Sequence, residues 1–415
     1  MTERHDSSPA ISRCVCRGPV RVHVDGFAEL LIEQGYAKQT IAKKLTPLCE
    51  LSRWLERRSL KVQSLDESRI EEFLSYRKKK QRLGKEDTAT TGQFLGFLRN
   101  AGLIPSSVSK TEDSPIQRIE TRFAQYLLQE RGLSQRTIAN YLPFCHGFLT
   151  ERCGDGKLLL RSLRPKEVSD FVLHTVRATR HNRATHNHDL VTGLRSLLRF
   201  LYQQGKIATD LASAVPTVSR QQFTQLPKFL QPEEVERLVH SCDQSTPIGK
   251  RDYAILMLLA RLGLRAGEIV HLTLDDIHWE AGEIVVRGKS SQEERLPMAH
   301  DVGKALAVYL RRSRPRCSSR RVFIRLRAPL QGFHSSEAVC NVVRRALSRA
   351  GLNPTLKGTG LLRHSLATNM LRGGASLAEI GEILRHQQPN TTEIYAKVDL
   401  AALRSVAQPW PGEAS

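Results

Sequence analysis

Long apolar runs and a secretion signal are both missing from this 415-residue sequence. No stretch approaches the roughly eighteen uninterrupted apolar residues that a membrane-spanning helix needs. The opening string M-T-E-R-H-D-S-S lacks the apolar core of a signal peptide. We therefore expect a cytoplasmic protein that has no contact with a membrane.

Cysteine is also sparse, and its spacing excludes a disulfide framework. The eight cysteines are scattered through the chain, which indicates reduced thiols, and only Cys14 and Cys16 lie close together. A zinc site there would need two more well-spaced ligands. His181, His186 and His188 likewise lack the carboxylate or cysteine that would complete a metal site. We expect no metal.

Acidic residues are fewer than basic ones. The chain has 42 Asp and Glu residues against 63 Lys and Arg residues, which gives a formal net charge of +21. Such an excess indicates a polyanionic partner. Ribosomal and membrane-surface proteins share it, but the former are usually shorter. A hydrophobic content of 40% is enough for about two or three cores, so we expect a multidomain globular chain.

The N-terminal half contains a domain-sized internal repeat. Residues 27–45 resemble residues 123–142, and the likeness continues downstream in both copies. Apolar residues recur three or four apart, which predicts a small helical bundle for each copy. Gly35 and Gly132 fit the left-handed position that ends a first helix, and the next helix is expected to begin two or three residues later.

The C-terminal part is predicted to be mainly helical with a small sheet. Pro232 suits a first helical turn, and residues 251–262 form a mostly apolar helix that should be buried. The Ala281-Gly282 junction between β-rich runs predicts a hairpin. Further helices are predicted at 301–312, 335–351, 361–373, 376–385 and 391–406.

The polar residues of this part supply what a metal-free phosphodiester cleavage needs. Such a site requires a nucleophile, cations on the non-bridging oxygens and an acid for the leaving oxygen. Arginine suits the second task, because its planar guanidinium makes bidentate contacts and keeps its proton. Tyr395 is a candidate nucleophile, but an ordinary phenol has a pKa of about 10 and needs cationic neighbours.

Four strings in the C-terminal part resemble the tyrosine recombinase, or phage integrase, family in order and spacing. They are A-R-L-G-L-R-A-G-E-I at 260–269, V-R-G-K-S-S-Q-E-E-R-L-P at 286–297, L-L-R-H-S-L-A-T-N-M-L at 361–371 and I-G-E-I-L-R-H-Q-Q-P-N-T-T-E-I-Y at 380–395. The resemblance implies a mainly α fold. Two helical, SAM-like core-binding domains would precede a mixed α/β, mostly helical catalytic domain with a small β-sheet.

The resemblance implies catalytic roles for five residues. Arg265 and Arg363 would bind the scissile phosphate, and Lys289 would protonate the departing 5′ oxygen. His386 would hydrogen-bond the phosphate or stabilise the transition state, and Tyr395 would attack phosphorus to give a covalent 3′-phosphotyrosine. The structural alternatives are a salt bridge from Arg265 to a neighbouring glutamate, an ordinary hairpin lysine, a surface histidine and a packed helical tyrosine.

Two positions depart from the family pattern. The family usually has His or Lys three residues before the second arginine, where this chain has Gly360, which can neither donate a proton nor hold the tyrosine. Lys357 or His364 is a candidate to compensate, although the histidine at position 364 tends to support the helix in the family. The usual L-G-H string reads L-R-H here, so Arg385 adds a cation near the phosphate.

The implied function is site-specific cutting and rejoining of double-stranded DNA. Two successive strand exchanges would occur within a synaptic homo-tetramer, or a hetero-assembly with related recombinases. Because the Tyr395 link conserves phosphodiester energy, we expect no cofactor. The extra N-terminal copy favours integration, excision or transposition of a mobile element. The alternatives are a type IB topoisomerase-like enzyme and a DNA-binding protein whose catalysis is weakened by Gly360.

The domain order follows from the repeat, the linkers and the resemblance. Residues 311–327 hold eight arginines and no acidic residue, and we expect them to lie along the DNA backbone. The predicted divisions are an N-terminal tail (1–20), a helical arm domain (21–105), a linker (106–115), a helical core-binding domain (116–215), a linker (216–227), a catalytic domain (228–406) and a C-terminal tail (407–415).

Overall fold

The computed structural model describes most of the chain. The described residues are 16–80, 84–105, 114–154, 157–158, 160–178, 184–217, 228–288, 293–386, 388 and 391–398. Contacts divide the chain into one unit of residues 1–107 with 226–415 and another of residues 108–225. Among the described residues, no helix is both long and apolar enough to cross a membrane.

The first repeat copy is a four-helix bundle. Its helices are α1 (Arg21–Glu33), α2 (Lys38–Arg57), α3 (Glu67–Lys80) and α4 (Lys85–Asn100). Most of the apolar residues at helical spacing, including Leu31, Ile41 and Leu45, are buried, and Phe27 meets Phe94 edge to face with ring centroids 5.3 Å apart. Gly35 has φ +79°, as predicted for the residue that ends the first helix.

The second copy, in the unit of residues 108–225, repeats this arrangement with a two-stranded insertion. Its elements are α5 (Pro115–Gln129), α6 (Gln135–Glu151), β1 (Cys153–Gly154), β2 (Lys157–Leu158), α7 (Pro165–Ala178) and α8 (Ala184–Gln203). Gly132 has φ +61°, and the Ser134 side chain caps α6 by accepting from the Thr137 amide. Both predicted helical bundles are therefore present.

The C-terminal part is mainly helical and carries a three-stranded antiparallel sheet in the order β3-β4-β5. Its elements are α9 (Pro232–His240), α10 (Pro247–Arg261), α11 (Ala266–His271), β3 (Ile277–His278), β4 (Glu283–Arg287), β5 (Glu293–Pro297), α12 (His300–Arg312), α13 (Ser336–Arg349), α14 (Gly360–Arg372) and α15 (Leu377–Ile383). A 3₁₀-helix, Glu393–Val398, follows. The predicted buried helix is α10, in which every residue from Ala254 to Ala260 is buried.

Two predicted elements of this part can be compared closely. The hairpin at Ala281-Gly282 is confirmed, since Gly282 has φ +64° between β3 and β4. The helix predicted over 391–406 is a short 3₁₀-helix in its described part, and its remainder lies outside the described residues. The predicted domain boundaries stay predictions.

A backbone contact joins the first repeat copy to the C-terminal part. The Leu330 amide donates to the Gln34 carbonyl at 2.8 Å. The Leu330 side chain covers Gly35 so closely that a Cβ there would lie 2.3 Å from Leu330 Cδ1. This close approach requires glycine at position 35 in addition to the positive φ.

Candidate active site

Arg265 lies at the turn between α10 and α11. Gly263 makes this turn with φ +58°, and a Cβ there would come within 2.8 Å of a Leu384 methyl group. Glu268, in the first turn of α11, accepts from both the Arg265 amide and its Nη1 at 2.8 Å. Arg265 Nη2 donates to the Arg385 carbonyl at 2.9 Å. The salt bridge to a neighbouring glutamate is thus present, and it orients the guanidinium toward the loop after α15.

Arg363 reaches the same loop from α14. Its guanidinium donates to the carbonyl of Gly263 at 2.5 Å and to the carbonyl of Leu384. The two predicted phosphate-binding arginines therefore bond to consecutive carbonyls, those of residues 384 and 385. Each guanidinium has five N–H donors, more than these contacts use.

The sequence predicts that Arg385 adds a cation near the phosphate, and in the structure this guanidinium is buried and paired with carboxylates. Its side chain is only 4% exposed and pairs with Glu268 at 2.9 Å and with Glu294 of β5 at 3.3 Å. Its φ of +56° explains why glycine is usual at such a position, because a side chain in this region is strained. Arg385 thus links α11 to the sheet underneath the loop.

His386 follows directly, and its Nδ1 lies 2.6 Å from Thr392 Oγ1. Its ring is nearly parallel to that of Tyr395, with 6.5 Å between centroids. Burial, and then the charges of Arg363 and Arg265, lower the pKa of His386 to about 4. The imidazole is therefore neutral at pH 7 in a strongly electropositive setting.

Tyr395 lies on the 3₁₀-helix and is 1% exposed. Its ring packs in a small cluster with Ala367, Ile380 and Leu384. Its hydroxyl lies 2.9 Å from His364 Nδ1. Burial raises the pKa of Tyr395 to about 12, although the charge of Arg363 acts in the opposite direction. The phenol is protonated at pH 7 and needs help to become a nucleophile.

The structure brings four of the five predicted site residues together, and His364, a candidate to compensate for Gly360, lies with them. Lys289 lies outside the described residues, between the strands β4 and β5. His364, expected to support a helix, instead contacts the hydroxyl of Tyr395. The sequence already marks it as a candidate to compensate for Gly360, one helical turn earlier on α14. Lys357, the other candidate to compensate, is exposed on the loop before α14.

The charges of the site are unbalanced toward the positive. Three guanidinium groups, from Arg265, Arg363 and Arg385, lie near two carboxylates, those of Glu268 and Glu294. Burial and the charges of its two arginine neighbours lower the pKa of Arg363 to about 10. An anion placed among these cations would relieve their repulsion. In the described residues, no group of three His, Cys, Asp or Glu side chains is suited to a metal ion.

The arginine-rich stretch 311–327 is partly engaged within the protein. Arg314 donates to backbone carbonyls between Ser319 and Val322 and so stabilises the loop that follows it. Arg320 pairs with Asp275, and both side chains are 64% exposed. Only part of the stretch can therefore face a ligand.

Comparisons with known proteins identify the family to which the chain belongs. The model of the Phage integrase family matches residues 228–401, and that of the Phage integrase N-terminal SAM-like domain matches residues 121–205. The protein named "Putative integrase/recombinase y4rA" of Sinorhizobium fredii (strain NBRC 101917 / NGR234) is 42% identical over 398 residues, covering 96% of each chain. Tyrosine recombinase XerD of Listeria monocytogenes serovar 1/2a is 32% identical over 301 residues, covering 68% of this chain and 95% of XerD.

Solved structures share the fold. XerH recombinase bound to its palindromic difH substrate has a TM-score of 0.54 at 18% identity, covering 76% of this chain and 93% of XerH. A lambda integrase dimer bound to a COC′ core site has a TM-score of 0.50 at 17% identity, covering 67% and 94%. The chain therefore belongs to the phage integrase family of tyrosine recombinases, enzymes that bind, cleave and rejoin DNA. The predicted fold class and enzyme class are confirmed.

Proposed function

We propose that this enzyme is a site-specific recombinase that cuts DNA through a covalent 3′-phosphotyrosine at Tyr395. The observation that carries the proposal is that both arginines hydrogen-bond to the same loop, the one that follows α15. Arg265 and Arg363 bond the carbonyls just before His386, and His386 stacks on the Tyr395 ring. The proposed nucleophile and the two guanidinium groups therefore lie around this loop, where a negatively charged phosphate would be stabilised.

A DNA phosphate at this position would meet the requirements of phosphoryl transfer. Arg265 and Arg363 would neutralise the non-bridging oxygens, and His386 would add a hydrogen bond as charge develops. The Tyr395 oxygen bonds to phosphorus, and the bond from phosphorus to the 5′ oxygen breaks. Lys289, assigned from the resemblance, would protonate that leaving oxygen. The reaction is reversible because the phosphotyrosine keeps the phosphodiester energy.

Access to the nucleophile requires a rearrangement. A tyrosine that is 1% exposed has to be uncovered before a DNA phosphate can approach it. In the described residues it lies on a short 3₁₀ segment, Glu393–Val398, whose hydrogen-bond geometry is poorer than that of an α-helix. DNA binding would therefore shift this segment and switch the enzyme on.

The biological role we propose is movement of a mobile element, by integration, excision or transposition. The XerD alignment covers 68% of this chain but 95% of XerD, whereas the alignment with y4rA covers 96% of both chains. About a third of this chain thus lies outside the alignment with XerD, whereas nearly all of it aligns with a protein named "Putative integrase/recombinase". Two strand exchanges would occur in a tetramer on two DNA sites.

Capture of DNA from cells tests the proposal and identifies the target sequence in the same step. Cells that express the protein are lysed in strong detergent without a crosslinker, and the DNA that stays attached to the protein is sequenced. Discrete sites should be recovered from wild type, each with a blocked 3′ end and a free 5′ hydroxyl. Arg265→Ala and Arg363→Ala should abolish recovery, and His300→Ala, at an exposed position, should not.

The capture result, read together with the reaction products, separates the alternatives. Attached DNA without any joined-site product, together with supercoil relaxation, would favour a topoisomerase-like enzyme. Failure of the wild type to retain DNA, with binding intact, would show a DNA-binding protein that has lost catalysis.

A further inference from the structure

Position 360 leaves an opening on α14 that His364 occupies. Residues 360 and 364 lie one turn apart on the same helix face. Helical side chains lean toward the N-terminus, so the side chain of residue 364 covers the surface over residue 360. A Cβ at Gly360 would meet only the Cδ2 and Nε2 atoms of His364, both at 4.0 Å. The imidazole thus lies in van der Waals contact with the place where a side chain at position 360 would begin.

From this position His364 contacts the reacting atom. Its Nδ1 lies 2.9 Å from the Tyr395 hydroxyl, with 5.7 Å between ring centroids. Burial and the charge of Arg363 lower the pKa of His364 below its ordinary value. The ring is therefore neutral at pH 7, so Nδ1 can accept the hydrogen bond that the hydroxyl donates. The charged or titratable groups that face it are Arg363, Tyr395 and His386.

We propose that His364 is the general base that removes the proton of Tyr395, in place of the side chain that Gly360 lacks. This inference rests on the proposed function. In the step, the bond from Tyr395 Oη to phosphorus forms as the phosphorus to 5′ oxygen bond breaks. The phenolic proton passes to His364 Nδ1 and gives an imidazolium, while a separate acid protonates the leaving oxygen.

The phosphate anchor and the base are neighbours on one helix. Arg363 precedes His364 on α14, and its charge acts on both the imidazole and the phenol. A phosphate bound by Arg363 would therefore lie close to the hydroxyl that His364 holds. The other imidazole, that of His386, bonds Thr392 instead and faces the tyrosine ring in parallel. In this arrangement His386 would hydrogen-bond the phosphate, and His364 would accept the proton of Tyr395.

Removal and replacement of the imidazole test the proposal. His364→Ala should bind DNA as wild type does but form the covalent adduct about 100-fold or more slowly, the usual range for a lost general base. The cavity should admit free imidazole, which should restore the rate. Gly360→His in the His364→Ala background should also restore it. Lys357→Ala is the matched control and should keep the wild-type rate.

Two further readouts separate a base from a structural role. The wild-type rate should rise with pH through the depressed pKa of His364 and then level off, and this rise should vanish in His364→Ala. A DNA substrate with sulfur at the 5′ bridging position releases a thiolate, which needs no acid. That substrate should leave the His364→Ala defect in place, because the defect lies at the nucleophile.

The outcomes bear on the two proposals separately. An absence of adduct from wild type overturns the proposed function. If wild type forms the adduct and His364→Ala matches or exceeds its rate, only the role of His364 is overturned. Restoration of His364→Ala by the sulfur substrate would also overturn that role, because it would place the defect at the leaving group.

Discussion

Glu268→Gln offers the sharpest test of how the active-site loop is held. The carboxylate is buried and pairs with Arg385 at 2.9 Å and with Arg265 at 2.8 Å. The substitution keeps the shape of the side chain and removes its charge. Arg385 would then be buried with Glu294 alone, at 3.3 Å.

The expected cost follows from these contacts. Removing one partner of a buried ion pair costs about 3–5 kcal/mol. The glutamine oxygen still accepts a hydrogen bond and Glu294 persists, so we expect about 2–3 kcal/mol for Arg385. Arg265 is 43% exposed, so its pair adds at most about 1 kcal/mol. Together the two terms give about 2–4 kcal/mol, and at about 1.4 kcal/mol per factor of ten the loop should open roughly 30- to 700-fold more often.

Amide hydrogen exchange of residues 380–386 in the full chain measures this opening directly. Glu337→Gln, which breaks an exposed pair with Arg344, is the matched control and should change exchange little. Glu268→Gln combined with Arg385→Gly removes both charges and the strained φ, so it should recover most of the protection. Exchange in Glu268→Gln that equals the Glu337→Gln control would refute the ion-pair account.

Three other predictions concern binding and packing. Arg320→Glu should weaken binding to every DNA sequence and lessen its salt dependence, whereas Asp275→Asn, which breaks the same ion pair without adding negative charge, should not. The fold lowers the pKa of His386, so the free protein loses stability as the pH falls from 6.5 toward 4. A bound phosphate should raise this pKa. DNA affinity should therefore rise as pH falls from 7 to 5, by about 10- to 30-fold more in wild type than in His386→Gln titrated alongside it. Gly35→Ala should lower the midpoint of urea unfolding, because its methyl group meets Leu330 and its φ is positive; an unchanged midpoint would contradict this packing.

Much of the fold could be predicted from the sequence, because helical spacing and glycine stops are local signals. Gly35 and Gly132 have the positive φ that their positions predicted, and Gly282 lies at the predicted hairpin. The last helix was wrong in type, since the described part of 391–406 is a 3₁₀ segment that packs Tyr395 against the α14 and α15 region. The conformation of such a segment depends on tertiary contacts, which the spacing of apolar residues in the sequence does not reveal.

The residues that the resemblance assigns to the site and that the structure describes lie together, but their arrangement could not be predicted from the sequence. The resemblance assigned Arg265, Arg363, His386 and Tyr395, and the structure brings all four together. It could not show that the side chain of Arg385 turns inward, because that depends on Glu268 and Glu294, which are far apart in sequence. The contact of residue 364 with the tyrosine was equally hidden, since it joins two separate elements.

Mass spectrometry of the protein–DNA adduct tests the central claim most directly. Wild-type protein is incubated with a nicked duplex of a captured site, digested with protease and nuclease, and the modified peptide is sequenced. The account predicts a nucleotide attached through a 3′-phosphate to Tyr395, and no adduct from Tyr395→Phe. Attachment at another residue, or an adduct that persists in Tyr395→Phe, would contradict it.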